Sequence, residues 1–132
     1  MESITGRCLC GEVQYRSSPA KTPATICHCR SCRRASGAHS LGLVTVSRQE
    51  FSFTSGKPAE YRSSANVVRT FCSRCGTSLT YWHAGWPSDI SVTIGSMDQP
   101  EQTPPVDHTW MSEAIHWDVP KDGLAQFPSD RP

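Results

Sequence analysis

Seven cysteines constrain this 132-residue chain more than any other feature. They are Cys8, Cys10, Cys27, Cys29, Cys32, Cys72 and Cys75, in three tight groups: C-L-C, C-H-C-R-S-C and C-S-R-C-G. An odd number of thiols does not close into a disulfide framework. The N-terminal stretch MESITGRCLCGEVQY has neither a basic n-region nor an apolar h-region. The expected compartment is therefore cytoplasmic and reducing, where clustered thiols bind metal more often than they bridge. The chain also needs such a device, because hydrophobic residues make up only 36% of it. Nine Gly and ten Pro, spread without period, argue against collagen and against long helices.

The spacing assigns work to each group. Cys72-Ser73-Arg74-Cys75-Gly76 lies between two strand-like runs and reads as a metal knuckle, a turn that brings two thiolates onto one tetrahedral ion. A closed site needs four ligands, and Cys8 and Cys10 can supply the other two. If Cys8-Leu9-Cys10 is extended strand, both thiols project to one side while Leu9 faces away. The competing reading, a redox C-x-x-C, requires a βαβ context that the flanking strands do not offer. Cys27, Cys29 and Cys32 form a self-contained second group. Three protein ligands leave a fourth position open, as in catalytic rather than structural zinc. Two alternatives stay open: His28 or a distant side chain closes this site, or the seven cysteines divide differently between the ions.

Around these groups the pattern is that of short strands. Apolar residues alternate over Glu12–Arg16, Leu41–Val46, Phe51–Phe53, Val67–Phe71, Leu79–Trp82 and Ile90–Ile94, with turn residues between them. The expected fold class is mainly β, with at most short helical turns. The one convincing helical turn is Arg30–Ser36, with Gly37 placed as its C-cap. One domain over residues 1–132 is expected, with 120–132 running over the surface and Leu124 and Phe127 able to pin part of it.

The remaining candidates are weaker. Arg30, Arg33 and Arg34 surround the second cysteine group. They read either as solvated surface charge or, for Arg33 and Arg34, as contacts to a substrate carboxylate. His39, His83, His108 and His116 are scattered and read as structural or surface residues. His28 lies between two ligands, but strand alternation turns its ring away from the metal. Trp82, Trp86, Trp110 and Trp117 read as packing, with Trp86 in its Gly-Trp-Pro loop the candidate pocket wall. Thirteen basic against twelve acidic side chains leave a net charge of +1, so no nucleic-acid or membrane partner is expected. The longest nearly apolar run, Leu41–Val46, falls far short of the ~20 residues of a membrane span.

Gly6–Tyr15 (GRCLCGEVQY), Cys27–Ala38 (CHCRSCRRASGA) and Phe71–Leu79 (FCSRCGTSL) together resemble the glutathione-dependent formaldehyde-activating enzyme family, which includes the domain of centromere protein V. Ile94–Asp98 (IGSMD) and the H-x-W element at His108–Trp110 are similar as well, so the likeness covers nearly the whole chain. It implies several small coiled antiparallel sheets, a fold similar to translationally controlled tumour protein. It also implies two zinc ions, a structural one on Cys8, Cys10, Cys72 and Cys75 and a catalytic one on Cys27, Cys29 and Cys32. The implied activity is carbon–sulfur lyase chemistry, joining glutathione and formaldehyde into S-hydroxymethylglutathione or handling a related thiol–aldehyde pair. A zinc-stabilised binding module without chemistry is the main rival. A nucleic-acid-binding zinc protein, suggested locally by Cys-Arg-Arg, is opposed by the near-zero net charge.

Overall fold

The computed structural model describes residues 2–132, and it is mainly β. Two sheets face each other. The smaller joins β1 (Ile4–Arg7), β2 (Gln14–Ser17) and β5 (Ser52–Ser55). The larger has eight strands. From one edge it runs β11 (Ala125–Gln126), β10 (Pro105–Thr109), β3 (Ala24–Cys27), β4 (Leu41–Ser47) and β9 (Asp89–Thr93), then β8 (Ser78–His83), β7 (Val67–Phe71) and β6 (Ala59–Ser64). Most pairs are antiparallel, but β10 runs parallel to both β3 and β11.

Alternation along β4 separates two interiors. Val44 and Val46 join Ile4, Val13, Tyr15, Leu79, Ile90, Val92, Cys8 and Cys72 in the main core between the sheets. Leu43, one position out of phase, joins Cys27 and Cys32 in a second, smaller cluster against Leu41, Cys29 and Trp110. Within the smaller sheet, Gly6 pairs with Tyr15, and a Cβ there would lie 2.2 Å from the Tyr15 hydroxyl. That phenol is 1% exposed and shares a 2.7 Å hydrogen bond with Ser96. Burial pushes its pKa up to about 12.

The single α-helix among the described residues, α1, spans Arg30–Ser36. Gly37 ends it at φ 72°, its N–H bonded to the Arg33 carbonyl, as the sequence predicts. The Ser78 hydroxyl donates to the Ala35 carbonyl, tying this helix to the strand that leaves Cys72–Cys75. The 120–132 segment is held by polar contacts. β11 pairs with β10, and Arg131 grips buried Asp107 through Nε and Nη2 at 2.8 and 3.0 Å. No helix among the described residues is long and apolar enough to cross a membrane.

Candidate functional site

The seven cysteines assemble as four and three. In each group all the sulfurs lie within 4.8 Å of one another, close enough to hold a metal ion.

The four-cysteine group is built from two turns. Cys8-Leu9-Cys10 is not extended strand, which corrects the geometry expected from sequence. The residues follow the end of β1 and fold back, with the Gly11 N–H on the Cys8 carbonyl at 3.1 Å and Gly11 at φ 81°. Val13 N–H donates to the Cys8 sulfur at 3.3 Å. Cys72–Gly76 repeats the arrangement. Gly76 N–H reaches the Cys72 carbonyl at 2.8 Å, Cys75 N–H faces the Cys72 sulfur at 3.5 Å, and Gly76 sits at φ 84°. Positive φ lets glycine close both turns without a Cβ clash. Thr77 links them, taking the Leu9 N–H at 3.0 Å and facing the Cys75 sulfur at 3.3 Å. Hydrogen bonds from Thr77 hold the Cys75 thiol down at about 5. Cys8–Cys10 and Cys10–Cys72 sulfur separations are 3.6 and 3.8 Å. Four sulfurs tetrahedral about zinc at its usual bond length lie about 3.8 Å apart, so the donor set fits that ion. Cys72 is fully buried and Cys8 2% exposed.

The three-cysteine group sits where β3 passes into α1. Cys27 is the last residue of β3, Cys29 caps the helix with its sulfur accepting the Cys32 N–H at 3.3 Å, and Cys32 lies in the first helical turn. Hydrogen bonds from Cys27 and Cys32 hold the Cys29 thiol down at about 2, helped by the Arg69 charge, while those to Cys29 and Cys32 drive Cys27 upward. Crowded thiols that lower one pKa at another's expense also fit a metal, which removes all their protons together.

Above these sulfurs opens a cavity of about 410 Å³. Leu43, Tyr81, Trp110 and Arg69 border it, together with the hydroxyls of Thr25, Thr45, Ser91 and Thr109. Arg69 was not singled out from the sequence. It comes from β7, lies over the Tyr81 ring at 4.9 Å and points Nη2 at the Cys32 sulfur at 3.8 Å. Its Nε is buried without a partner. The two arginines expected from sequence are elsewhere. Arg33 donates to the Glu113 carbonyl at 3.4 Å, and Arg34 borders an adjoining cavity that shares Arg69 and Tyr81. Trp86, the expected pocket wall, is instead 61% exposed against His83, and Trp110 borders the cavity.

His28 faces away from the sulfurs, as strand alternation requires. It is 1% exposed, its Nε2 bonded to His108 Nδ1 at 2.9 Å, and His108 Nε2 meets Asp122 at 2.7 Å. Burial, more than the neighbouring His108, depresses the His28 pKa, although Asp118 opposes it. This pair fastens the cysteine-bearing segment after β3 to β10. Nothing in the local sequence around either histidine signals the pairing, since eighty positions separate them.

A model of the family described as glutathione-dependent formaldehyde-activating enzyme matches residues 3–113. A Halomonas elongata protein named "Putative glutathione-dependent formaldehyde-activating enzyme" is 27% identical over 112 residues, covering 77% of this chain and 70% of its own. A Schizosaccharomyces pombe protein described as an uncharacterized lyase is 26% identical over 81 residues, covering 61% of this chain and 58% of its own. Among solved structures, a crystal structure of a Rhodobacter sphaeroides protein superposes with a TM-score of 0.62 at 18% identity, covering 93% of this chain and 98% of that one. That likeness concerns the fold.

Proposed function

The chain belongs to the glutathione-dependent formaldehyde-activating enzyme family, and from this premise we propose that it is a zinc-dependent carbon–sulfur lyase acting on thiol–aldehyde adducts. Glutathione with formaldehyde is the first pair to test. The observation that carries the reading is a cluster of three thiols beneath an open cavity, with a guanidinium beside it. In this reading Cys8, Cys10, Cys72 and Cys75 hold a structural zinc, and Cys27, Cys29 and Cys32 hold the zinc of the reactive site. Bound there, zinc supplies a Lewis-acidic position that takes a soft thiolate donor and keeps it deprotonated.

The protein's own groups do the rest. Arg69 offsets the negative charge of the three thiolates, and its guanidinium, bordering the cavity, can attract an anionic group of the substrate. The cavity hydroxyls offer hydrogen bonds to a peptide-like thiol. In the synthetic direction the substrate sulfur bonds to the aldehyde carbon, the carbonyl π pair moves to oxygen, and that oxygen takes the proton the thiol gave up. No oxidant or reductant enters. His28 turns its ring away from the sulfurs, and His108 spends both ring nitrogens on His28 and Asp122, so the proton passes through cavity solvent or Glu113, a carboxylate on the cavity wall.

The test is hemithioacetal formation from glutathione and formaldehyde above the spontaneous rate, followed by exchange spectroscopy. Cys29→Ser is expected to reduce it to background while melting within about 5 °C of the unaltered protein, since only a small peripheral cluster is disturbed. A zinc-replete protein that accelerates no thiol–aldehyde pair favours the non-catalytic binding module instead.

A further inference from the structure

Trp110 is the one non-glycine residue with positive φ among the described residues, at φ 57°. A large side chain rarely adopts this conformation unless its surroundings impose it. Here the imposing contacts come from the C-terminal strap, which lies beyond the stretch matched by the family model. The Trp110 N–H donates to the Ser129 carbonyl at 3.1 Å, and its indole Nε1 donates to Asp130 at 3.0 Å. The next two N–H groups, of Met111 and Ser112, bond the Phe127 and Pro128 carbonyls. Arg131 then locks the strap's end, its guanidinium paired with buried Asp107 and also donating to the Pro23 and Ala24 carbonyls of the β3 approach. The indole so held packs against the Cys27, Cys32 and Leu43 cluster and borders the cavity over the three sulfurs.

We propose that Trp110 is a specificity-determining wall of this cavity and that Asp130 is its positioning residue, so that the strap selects which thiols bind well. Resting on the reading of the cavity as a thiol site, this assigns the indole to the part of the substrate beyond its sulfur. A thiol with a peptide body meets the ring; a two-carbon thiol is too small to reach past the sulfur position and does not.

The experiment titrates glutathione and 2-mercaptoethanol against the cobalt-substituted full-length protein and follows the sulfur-to-metal bands. Asp130→Ala and Trp110→Gly are expected to weaken glutathione roughly tenfold, the scale of one aromatic contact. They should leave 2-mercaptoethanol and the thiol-free spectrum unchanged. Glycine suits the positive φ at 110, and Asp130 is exposed, so Asp130→Ala carries the test if Trp110→Gly does not fold. Asp130→Asn keeps an oxygen acceptor for the indole and should restore glutathione binding. Variants that bind both thiols like the unaltered protein, or lose both equally, overturn the inference alone. An unaltered protein that responds to neither thiol overturns the thiol-site reading, and the inference with it.

Discussion

The two cysteine groups use the same donor atom in opposite settings. Cys8, Cys10, Cys72 and Cys75 join two turns distant in sequence, two of them buried in the main core between the sheets. Cys27, Cys29 and Cys32 come from one short segment on the other face of the larger sheet, beneath a cavity. In the first, four sulfurs and Thr77 complete each other's contacts. In the second, three sulfurs leave room above them, and a guanidinium stands beside Cys32. In the proposed reading, donor number and enclosure, rather than ligand identity, separate the structural site from the reactive one.

The largest expected effect comes from breaking the staple. Cys72→Ser removes a fully buried thiol from the proposed zinc staple that joins the turn after β1 to the β7–β8 hairpin. Zinc contributes about 10–16 kcal/mol to small metal-folded peptides, more than a domain of this size has to spare, since native stabilities run about 5–15 kcal/mol. The variant should lack a cooperative melt by circular dichroism. A melt unchanged from the unaltered protein would falsify the structural role.

Arg69→Met sharpens the other half of the comparison. It removes the guanidinium that lies over Tyr81 and beside Cys32 while keeping an unbranched apolar side chain. A charge-assisted hydrogen bond is worth about 1.5–3 kcal/mol, so binding of an anionic thiol should weaken roughly tenfold to a hundredfold. Thermal stability should hardly move. Equal weakening of an uncharged thiol would mean that Arg69 acts on the sulfurs alone.

A smaller effect is confined to the main core. The Tyr15 phenol titrates near 10 when unfolded but at about 12 in the fold, because burial opposes its charge. A raised folded-state value means the associated stability is fully present below pH 10 and is lost as the pH rises through 12. The loss approaches about 3 kcal/mol for a shift of this size. Tyr15→Phe should abolish that alkaline step in a denaturation series, at a cost of about 0.5–1.5 kcal/mol for the bond to Ser96. Thiol binding on the other face should be unaffected. An alkaline step that survives in the variant assigns it to another group.

What the sequence made legible was whatever its neighbours along the chain determine. The helix at Arg30–Ser36 with its glycine cap and the strand at Val67–Phe71 stand where local signals put them. Other strands escaped notice for identifiable reasons. β1 contains Gly6, which only makes sense once Tyr15 occupies the space above it. β6 is an edge strand with almost every side chain exposed, so it has no alternation to read. β10 begins with proline and buries Asp107 and His108, whose partners Arg131, His28 and Asp122 all come from elsewhere in the chain.

The site divides the same way. Cysteine spacing is local and carried the grouping, whereas the arginine at the sulfurs was sought among immediate neighbours of the ligands. Arg69 arrives instead through sheet register, opposite Tyr81 and 37 positions from Cys32. Trp110 replaced Trp86 at the cavity because contacts from the strap, invisible in its own segment, set its backbone.

The division of labour between the two groups is tested most directly by stepwise zinc removal. A chelator is titrated into the doubly loaded protein while released metal, adduct-forming activity and circular dichroism are followed together. The account predicts that the first ion leaves from Cys27, Cys29 and Cys32, taking the activity with it while the β-sheet signal stays intact. The second ion should leave only as the fold collapses. Unfolding with the first ion, or activity that survives its loss, would contradict the account.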